Sequence, residues 1–302
     1  MRGVRIARAA AVVALAVAAL SGCSADTGPR PVVYVTTNIL GDVASALAGD
    51  DLEVVTLMPP GADPHSFEIS ARQVAGMRDA ELVVANGLGL EEGLLHHVDT
   101  AEADGVPVFV AGDHVDVIEY DEGPAPDPHF WTDPAQMARV VEELGVELAA
   151  LAGDGEVDVR ARADAYLQSL RELEDRMATE LGAIPREHRA LVTNHHVFGY
   201  LARRFDVRIL GAVIPGGTTL AAPSASDLQE LVDAIDEAGV TTIFAESSQP
   251  DRLVQVLADE ADRDVVVAEL ISESLAPPGD PGDTYLDMMR VNTDRLVDGL
   301  SP

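Results

Sequence analysis

Three histidines lie at points in the sequence where metal ions are commonly bound. The chain has eight histidines, and His65, His129 and His195 each lie in a loop or where a strand pattern changes to a helix pattern. In an open α/β sheet these junctions face the crevice that receives ligands. Three imidazoles suit a borderline divalent ion such as Zn²⁺. A single loop histidine more often serves a turn or a cap, so a structural role stays open beside metal binding.

The other candidate side chains carry a weaker signal. His196 directly follows His195 and is expected to support the site or to lie on the surface. Glu246 ends a predicted strand, where it would orient a ligand imidazole or cap the next helix. His114 begins the short acidic stretch 113–127, interpreted as a lid that binds metal transiently or as a solvated loop. The His-Glu-x-x-His pattern of zinc peptidases does not occur in the sequence.

Short apolar strand patterns alternate with helix patterns along the chain. Helix starts are predicted at Asp133-Pro134 and at two capping boxes, Ser70 to Gln73 and Ser226 to Gln229. This alternation predicts parallel sheets covered by helices on both faces. The strands are expected at residues 32–35, 52–57, 81–84, 106–110, 191–193, 241–245 and 265–270.

A long helix pattern separates the two α/β stretches. From Val157 to Leu181 apolar residues recur at helical spacing, the other faces are charged, and no Pro or Gly interrupts the pattern. We therefore predict an N-terminal lobe over 32–155, a rigid connecting helix over 156–184 and a C-terminal lobe over 185–302. The cleft between two such lobes is a usual place for a ligand.

Composition excludes several classes of function. The 302 residues include 52 acidic and 20 basic side chains, for a net charge of −32, and 47% of the residues are apolar. The apolar fraction excludes disorder as a description of the whole chain. The negative charge argues against nucleic-acid binding, which needs a basic face. The single cysteine excludes an intramolecular disulfide and a cysteine-rich zinc site.

The N-terminus has the pattern of an export signal. Arginines precede an apolar run from Ala9 to Leu20, which is too short to span a bilayer. The following residues, Leu20-Ser21-Gly22-Cys23, resemble a bacterial lipobox. We therefore expect a signal peptide over 1–22, a lipid on Cys23, a tether over 23–31 and an extracytoplasmic protein held to the membrane only by its lipid. An ordinary signal peptide with an incidental cysteine is the alternative.

Four segments occur in a characteristic order along the chain, namely Pro64–Glu68, Asp127–Pro134, His195–Tyr200 and Ser272–Leu275, the last followed by Gly282–Met289. Together they resemble the cluster A-I substrate-binding lipoproteins of zinc and manganese ABC transporters, the ZnuA, TroA and PsaA type. The resemblance covers essentially the whole mature chain. It implies two Rossmann-like lobes joined by one long rigid helix, with the metal in the cleft between them. A further segment, Gly211–Thr219, is most similar to the AztC-type zinc-binding subgroup.

The resemblance also implies a set of four metal ligands. His65 and His129 correspond to the two ligands of the N-terminal lobe. His195 corresponds to the third ligand, a position that holds His in zinc-type members and Glu in manganese-type members. Glu273 stands at the fourth position, where the family normally has Asp. If Glu273 is instead a solvated loop acid, water would complete the coordination shell.

The function implied by the resemblance is transport and not catalysis. The protein is expected to capture Zn²⁺ outside the cytoplasm and to deliver it to a membrane permease for import. The expected partners are the cognate permease and its ATPase, and the protein itself is expected to be a monomer. Loading of the site by a soluble metallochaperone is left open by the sequence. Mn²⁺ in the same fold is the alternative ligand. A zinc hydrolase with Glu273 as general base and a surface adhesin are the other functions considered.

Overall fold

The computed structural model describes residues 30–120, 123–214 and 216–301. The predicted signal peptide and the predicted lipid-anchor residue Cys23 lie outside these ranges. Within the described ranges, no helix is both long enough and apolar enough to cross a membrane.

Eight strands and nine α-helices make up the described part of the chain. The strands are β1 (Val32–Val35), β2 (Glu53–Thr56), β3 (Leu82–Ala85), β4 (Val108–Val110), β5 (Ala190–Thr193), β6 (Arg208–Ala212), β7 (Thr242–Glu246) and β8 (Val266–Leu270). The helices are α1 (Asn38–Ala48), α2 (Ala71–Arg78), α3 (Leu95–Ala103), α4 (Pro134–Leu151), α5 (Glu156–Ala183), α6 (Gly199–Phe205), α7 (Ala225–Ala238), α8 (Arg252–Glu260) and α9 (Tyr285–Leu300).

The strands form two four-stranded parallel sheets, as the alternation of patterns predicts. The strand orders are β2-β1-β3-β4 and β6-β5-β7-β8, and every pair of neighbouring strands is parallel. In each sheet the second strand along the chain pairs with one side of the first strand, and the third strand pairs with its other side. The strand order therefore reverses beside β1 and beside β5, where a crevice opens at the carboxyl ends of the strands.

Side-chain caps explain where several helices begin. Ser70 accepts from the backbone N–H of Gln73 in the predicted capping box, and Asp133 caps α4 with Pro134 in the first turn. The prediction of a box at Ser226 is wrong, because Ser224 caps α7 and pairs with Asp227. Ser224 and Ser226 are each followed three positions later by an acidic or amide residue, so the sequence pattern fits both. The backbone at Ser224 is extended, as an N-cap requires, whereas Ser226 already lies inside the helix.

Helix α5 is the long helix that the sequence pattern predicts, and it contributes to one core with both sheets. Its apolar residues recur every three or four positions and are buried, namely Val159, Ala163, Leu167, Leu170, Leu173, Met177 and Leu181. The same core cluster includes Val33 of β1 and Leu191 of β5. Since the core is continuous across the two sheets, α5 fixes the crevice of one sheet relative to the crevice of the other.

Two elements were missed by the sequence patterns, strand β6 and helix α9. Strand β6 begins with an exposed arginine and contains Gly211, which weakens its apolar pattern. Helix α9 buries Asn292 and Thr293 on its core face, which interrupts the apolar period. The Asn292 side chain accepts a hydrogen bond of 2.9 Å from the backbone N–H of Ile271, so this polar residue is satisfied inside the core.

Candidate metal centre

Three of the four expected ligands follow the carboxyl end of a strand, and the fourth, His129, lies in the long loop between β4 and α4. His65 lies in the loop after β2, and His195 lies just beyond the end of β5. His129 precedes the 3₁₀ turn Phe130–Thr132 that leads into α4, and Glu273 follows β8. All four side chains are buried. The two sheets therefore direct ligand-type side chains into one place, which is where an open α/β sheet binds its ligands.

The four side chains form one compact cluster. Glu273 Oε1 lies 2.9 Å from His65 Nε2, 3.3 Å from His129 Nε2 and 3.3 Å from His195 Nε2. The Nε2 atoms of His65 and His129 are 3.4 Å apart. The three ring centroids are 5.5–5.7 Å from one another. One potential ligand atom from each side chain thus lies within 4.8 Å of all the others.

Hydrogen bonds on both sides hold the backbone around Glu273. The Trp131 indole N–H donates to the backbone carbonyl of Ser272 at 2.8 Å. Ser274 Oγ accepts from the Asn38 side-chain amide and from the Gly61 backbone N–H, each at 2.7 Å. The segment Ser272–Ser274 is thereby attached to the loop that carries His65, and the longer glutamate side chain reaches the cluster from a fixed backbone.

Two of the imidazoles are oriented by buried carboxylates. Asp127 Oδ1 lies 2.7 Å from His129 Nδ1, and Glu246 Oε1 lies 2.9 Å from His195 Nδ1. With Nδ1–H donated to a carboxylate, the Nε2 lone pair is free to face a metal, an arrangement common among metal-binding histidines. His195 Nε2 lies 3.3 Å from Glu273 Oε1, without forming a hydrogen bond with any residue that the structure describes. This nitrogen thus faces the Glu273 carboxylate and becomes available to a metal ion once its proton is removed.

The carboxylates also perturb the protonation equilibria of the cluster. Burial alone would lower the pKa of the His195 imidazole, but the charges of Glu246 and Glu273 raise it well above its usual value. His129 has a raised pKa because Asp127 and Glu273 outweigh its burial in the same way. Burial would raise the pKa of Glu273, yet the charge of His195 and the three imidazole contacts hold it well below its usual range. The metal-free site therefore favours an ionised Glu273 beside protonated imidazoles, and a bound cation would have to displace those protons.

The structure places the other candidate residues around the cluster or away from it. Glu246 Oε1 lies 2.9 Å from His195 Nδ1, and Glu246 Oε2 accepts from the Ser272 hydroxyl at 3.1 Å. His196 lines a neighbouring cavity of about 810 Å³. His114 stacks on Phe109 with the ring centroids 4.7 Å apart, outside the cluster. Of the acidic stretch 113–127, residues 121 and 122 are outside the described residues.

Sequence reasoning missed the two aspartates that position the N-terminal histidines. Asp63 Oδ1 accepts from the His65 backbone N–H, and Asp127 Oδ1 accepts from the His129 backbone N–H, both at 2.9 Å. Each is a short aspartate turn that fixes the histidine backbone. The signal was present in the sequence as a repeated tripeptide, because Asp-Pro-His occurs both at 63–65 and at 127–129.

Comparison with known proteins decides the family. The family model described as the periplasmic zinc-uptake complex component A, ZnuA, matches residues 33–299. This chain belongs to the ZnuA family. Among curated relatives, the manganese-binding lipoprotein MntA of Halalkalibacterium halodurans is 29% identical over 288 residues, covering 93% of this chain and 94% of MntA. The zinc-binding protein TroA of Treponema pallidum is 30% identical over 279 residues, covering 90% of this chain and 89% of TroA.

The fold agrees with this assignment. A solved structure of the periplasmic zinc-binding protein TroA from Treponema pallidum superposes with a TM-score of 0.84 at 28% identity, covering 90% of this chain and all of that one. ZnuA-family proteins are substrate-binding components of metal ABC transporters and are not enzymes. The chain is therefore a metal-binding transport protein, and its function requires a cognate permease and ATPase.

Proposed function

We propose that this ZnuA-family protein captures Zn²⁺ outside the cytoplasm and delivers it to its permease for import. In this proposal the Nε2 atoms of His65, His129 and His195 and a carboxylate oxygen of Glu273 are the zinc ligands. The observation that carries the proposal is the spacing of these four atoms.

The spacing fits a tetrahedral ion with short bonds. Zinc binds histidine nitrogen at about 2.0–2.1 Å and carboxylate oxygen at about 2.0–2.2 Å, so the ligand atoms of a regular tetrahedral site lie about 3.3 Å apart. Of the six distances between the four atoms, the four given above run from 2.9 to 3.4 Å, and all six are within 4.8 Å. An ion at the centre would replace the imidazole protons that face Glu273.

Manganese is the alternative cargo, and the relative MntA is named for it. The ligand set favours zinc, because three nitrogens and one oxygen bind zinc more strongly than manganese in the Irving–Williams order, whereas manganese prefers oxygen-rich octahedral sites. Dialysis of the metal-free protein against equal concentrations of both ions, followed by elemental analysis, tests this choice. We expect zinc to be retained and manganese excluded. Retention of manganese would overturn the assignment of the cargo.

Alanine substitutions test the ligands one by one. His65→Ala, His129→Ala and His195→Ala are each expected to weaken zinc binding by orders of magnitude, because each removes one of four ligands. Glu273→Ala is expected to do the same if the carboxylate is a direct ligand. The matched control is His97→Ala on helix α3, which is expected to leave affinity unchanged. Competition with a chromophoric chelator measures all five variants, and an unaffected His129→Ala protein would contradict the proposed site.

The location of the protein is part of the same proposal. MntA is named a lipoprotein, and the lipobox-like sequence ending at Cys23 supports a lipid anchor there. Radiolabelled fatty acid is expected to be incorporated into the wild type and not into the Cys23→Ala variant. Incorporation into both would refute the anchor. We also propose an N-terminal lobe over 32–155, a connecting helix over 156–184 and a C-terminal lobe over 185–302. A monomeric state and loading by a metallochaperone are further parts of this proposal.

A further inference from the structure

The third imidazole of the cluster differs from the other two in its hydrogen bonding. His129 and His195 each have a carboxylate oxygen within 2.9 Å of Nδ1. His65 is equally buried, yet its Nδ1 makes no hydrogen bond with any residue that the structure describes. The Glu92 carboxylate oxygen Oε1 lies 4.0 Å from this nitrogen. The buried nitrogen of His65 therefore has a carboxylate nearby that is about 1 Å too far away for a hydrogen bond.

Asp63 does not contact the ring of His65 in the way that Asp127 contacts the ring of His129. In both Asp-Pro-His turns the aspartate Oδ1 accepts from the histidine backbone N–H. Asp127 Oδ1 also reaches the ring nitrogen of its own histidine. The second oxygen of Asp63 instead accepts from the hydroxyls of Ser66 at 2.9 Å and Thr219 at 2.7 Å. This difference leaves the ring of His65 dependent on another carboxylate.

Hydrogen bonds hold Glu92 near His65 both beside its backbone and at its carboxylate. Its neighbour Glu91 is buried and accepts from Thr36 Oγ1 at 2.6 Å and from the Asn86 backbone N–H at 2.6 Å, which anchors the backbone beside Glu92. Glu92 Oε1, the oxygen nearest His65, accepts a hydrogen bond of 3.0 Å from Thr218 Oγ1. Its side chain is 46% exposed and so retains room to move.

Thr218 and Thr219 belong to a short segment between β6 and α7, here called the Gly217–Thr219 segment. Thr218 binds Glu92, and Thr219 binds Asp63. The Tyr120 hydroxyl donates to the Gly217 carbonyl at 3.4 Å and lies 3.2 Å from His129 Nδ1. The Gly217–Thr219 segment, which follows strand β6 of the second sheet, thus contacts both carboxylates that flank His65. His65 itself follows strand β2 of the first sheet.

We propose that Glu92 is the positioning residue for His65, and that in the zinc-bound protein its carboxylate accepts the His65 Nδ1–H while Thr218 holds it in place. The inference rests on the proposed zinc function. The physical reason is that a metal on Nε2 requires the proton on Nδ1, and a buried donor without an acceptor is costly. Binding of His65 to zinc is therefore coupled to the Gly217–Thr219 segment.

Zinc affinity and dissociation rate test the proposal. Glu92→Ala is expected to weaken zinc binding about 10- to 100-fold, the usual effect of removing such a partner, and to speed zinc loss to a chelator. Glu92→Gln keeps an acceptor oxygen and is expected to recover most of the loss, because the Glu92 side chain is 46% exposed and solvent screens its charge. Thr218→Val is expected to weaken binding in the wild-type background and to add nothing to Glu92→Ala. The control is Glu102→Gln, an exposed acid of helix α3, which is expected to leave affinity unchanged.

A spectroscopic readout separates positioning from a general structural effect. In the zinc-bound wild type, long-range ¹H–¹⁵N NMR is expected to show a slowly exchanging His65 Nδ1–H proton. That signal is expected to be lost in Glu92→Ala and kept in Glu102→Gln. If the wild type binds zinc and Glu92→Ala matches it in affinity and in the His65 signal, the positioning role is wrong. If the wild type fails to bind zinc, or His129→Ala binds as well as wild type, the proposed function fails instead.

Discussion

Neutralising Glu246 is the sharpest perturbation of the proposed zinc site. Glu246 Oε1 accepts from the backbone N–H of His195 at 3.0 Å and from its Nδ1 at 2.9 Å, and Oε2 accepts from the Ser272 hydroxyl. Glu246→Gln preserves the side-chain volume and one acceptor oxygen. The new amide N–H can donate to Ser272 Oγ, since a hydroxyl also accepts. The substitution therefore removes the negative charge while the contacts of His195 are retained.

The expected loss of zinc affinity is about 10- to 100-fold at pH 8, which corresponds to about 1.4–2.7 kcal/mol. Two effects of opposite sign set its pH dependence. Without the charge the imidazole is a weaker ligand, which lowers affinity at every pH. The same charge raises the pKa of His195, so its removal weakens proton competition at acidic pH. The ratio of variant to wild-type dissociation constants is therefore largest at pH 8 and smaller at about pH 6.

Chelator competition at both pH values measures this ratio. Glu237→Gln, an exposed acid on α7, is the control for loss of one surface charge and is expected to match the wild type. Equal zinc affinity of Glu246→Gln and wild type at pH 8 would refute the role of Glu246 as an orienting carboxylate. A ratio that grows as the pH falls would refute the assignment of the raised His195 pKa to Glu246.

Three other outcomes depend on separate contacts. Zinc affinity of the wild type is expected to fall steeply as the pH decreases, because protons compete for the imidazoles, and the fall is expected to begin above the usual imidazole range because the pKa values of His129 and His195 are raised. A flat chelator-competition profile from pH 8 down to pH 5 would exclude the three-histidine site. Glu273→Asp draws the carboxylate back by about 1.5 Å and is expected to weaken zinc binding tenfold or more in the same assay. Ser224→Ala is expected to lower the free energy of unfolding by about 1 kcal/mol, and Ser226→Ala by less than about 0.5 kcal/mol; equal urea midpoints for the two would contradict the observed cap.

Much of the fold followed from local patterns. The apolar strands and the long helix were predictable because their buried residues recur at the period of the element, as Leu167, Leu170 and Met177 do in α5. Elements that break the period escaped prediction. Helix α9 buries Asn292, whose partner is the backbone of Ile271, a residue distant in sequence. No local pattern distinguishes such a buried polar residue from an exposed one.

The sequence also determined which residue types are available to bind a metal. Motif context selected His65, His129, His195 and Glu273 from eight histidines and a large excess of acids, and those four side chains are the ones that the fold brings together. Sequence could not determine their spacing, because that depends on two sheets whose strand ends converge across a shared core.

Only the tertiary structure decided how the candidate ligands are held. Contacts between residues far apart in the chain place Glu246 on His195, Ser274 against the His65 loop, and Thr218 on Glu92. Each is a hydrogen bond whose strength depends on tenths of an ångström and on burial. The order of residues determines neither these distances nor the burial of the groups. The sequence therefore determines which ligand chemistry the site can have, while tertiary packing determines its geometry.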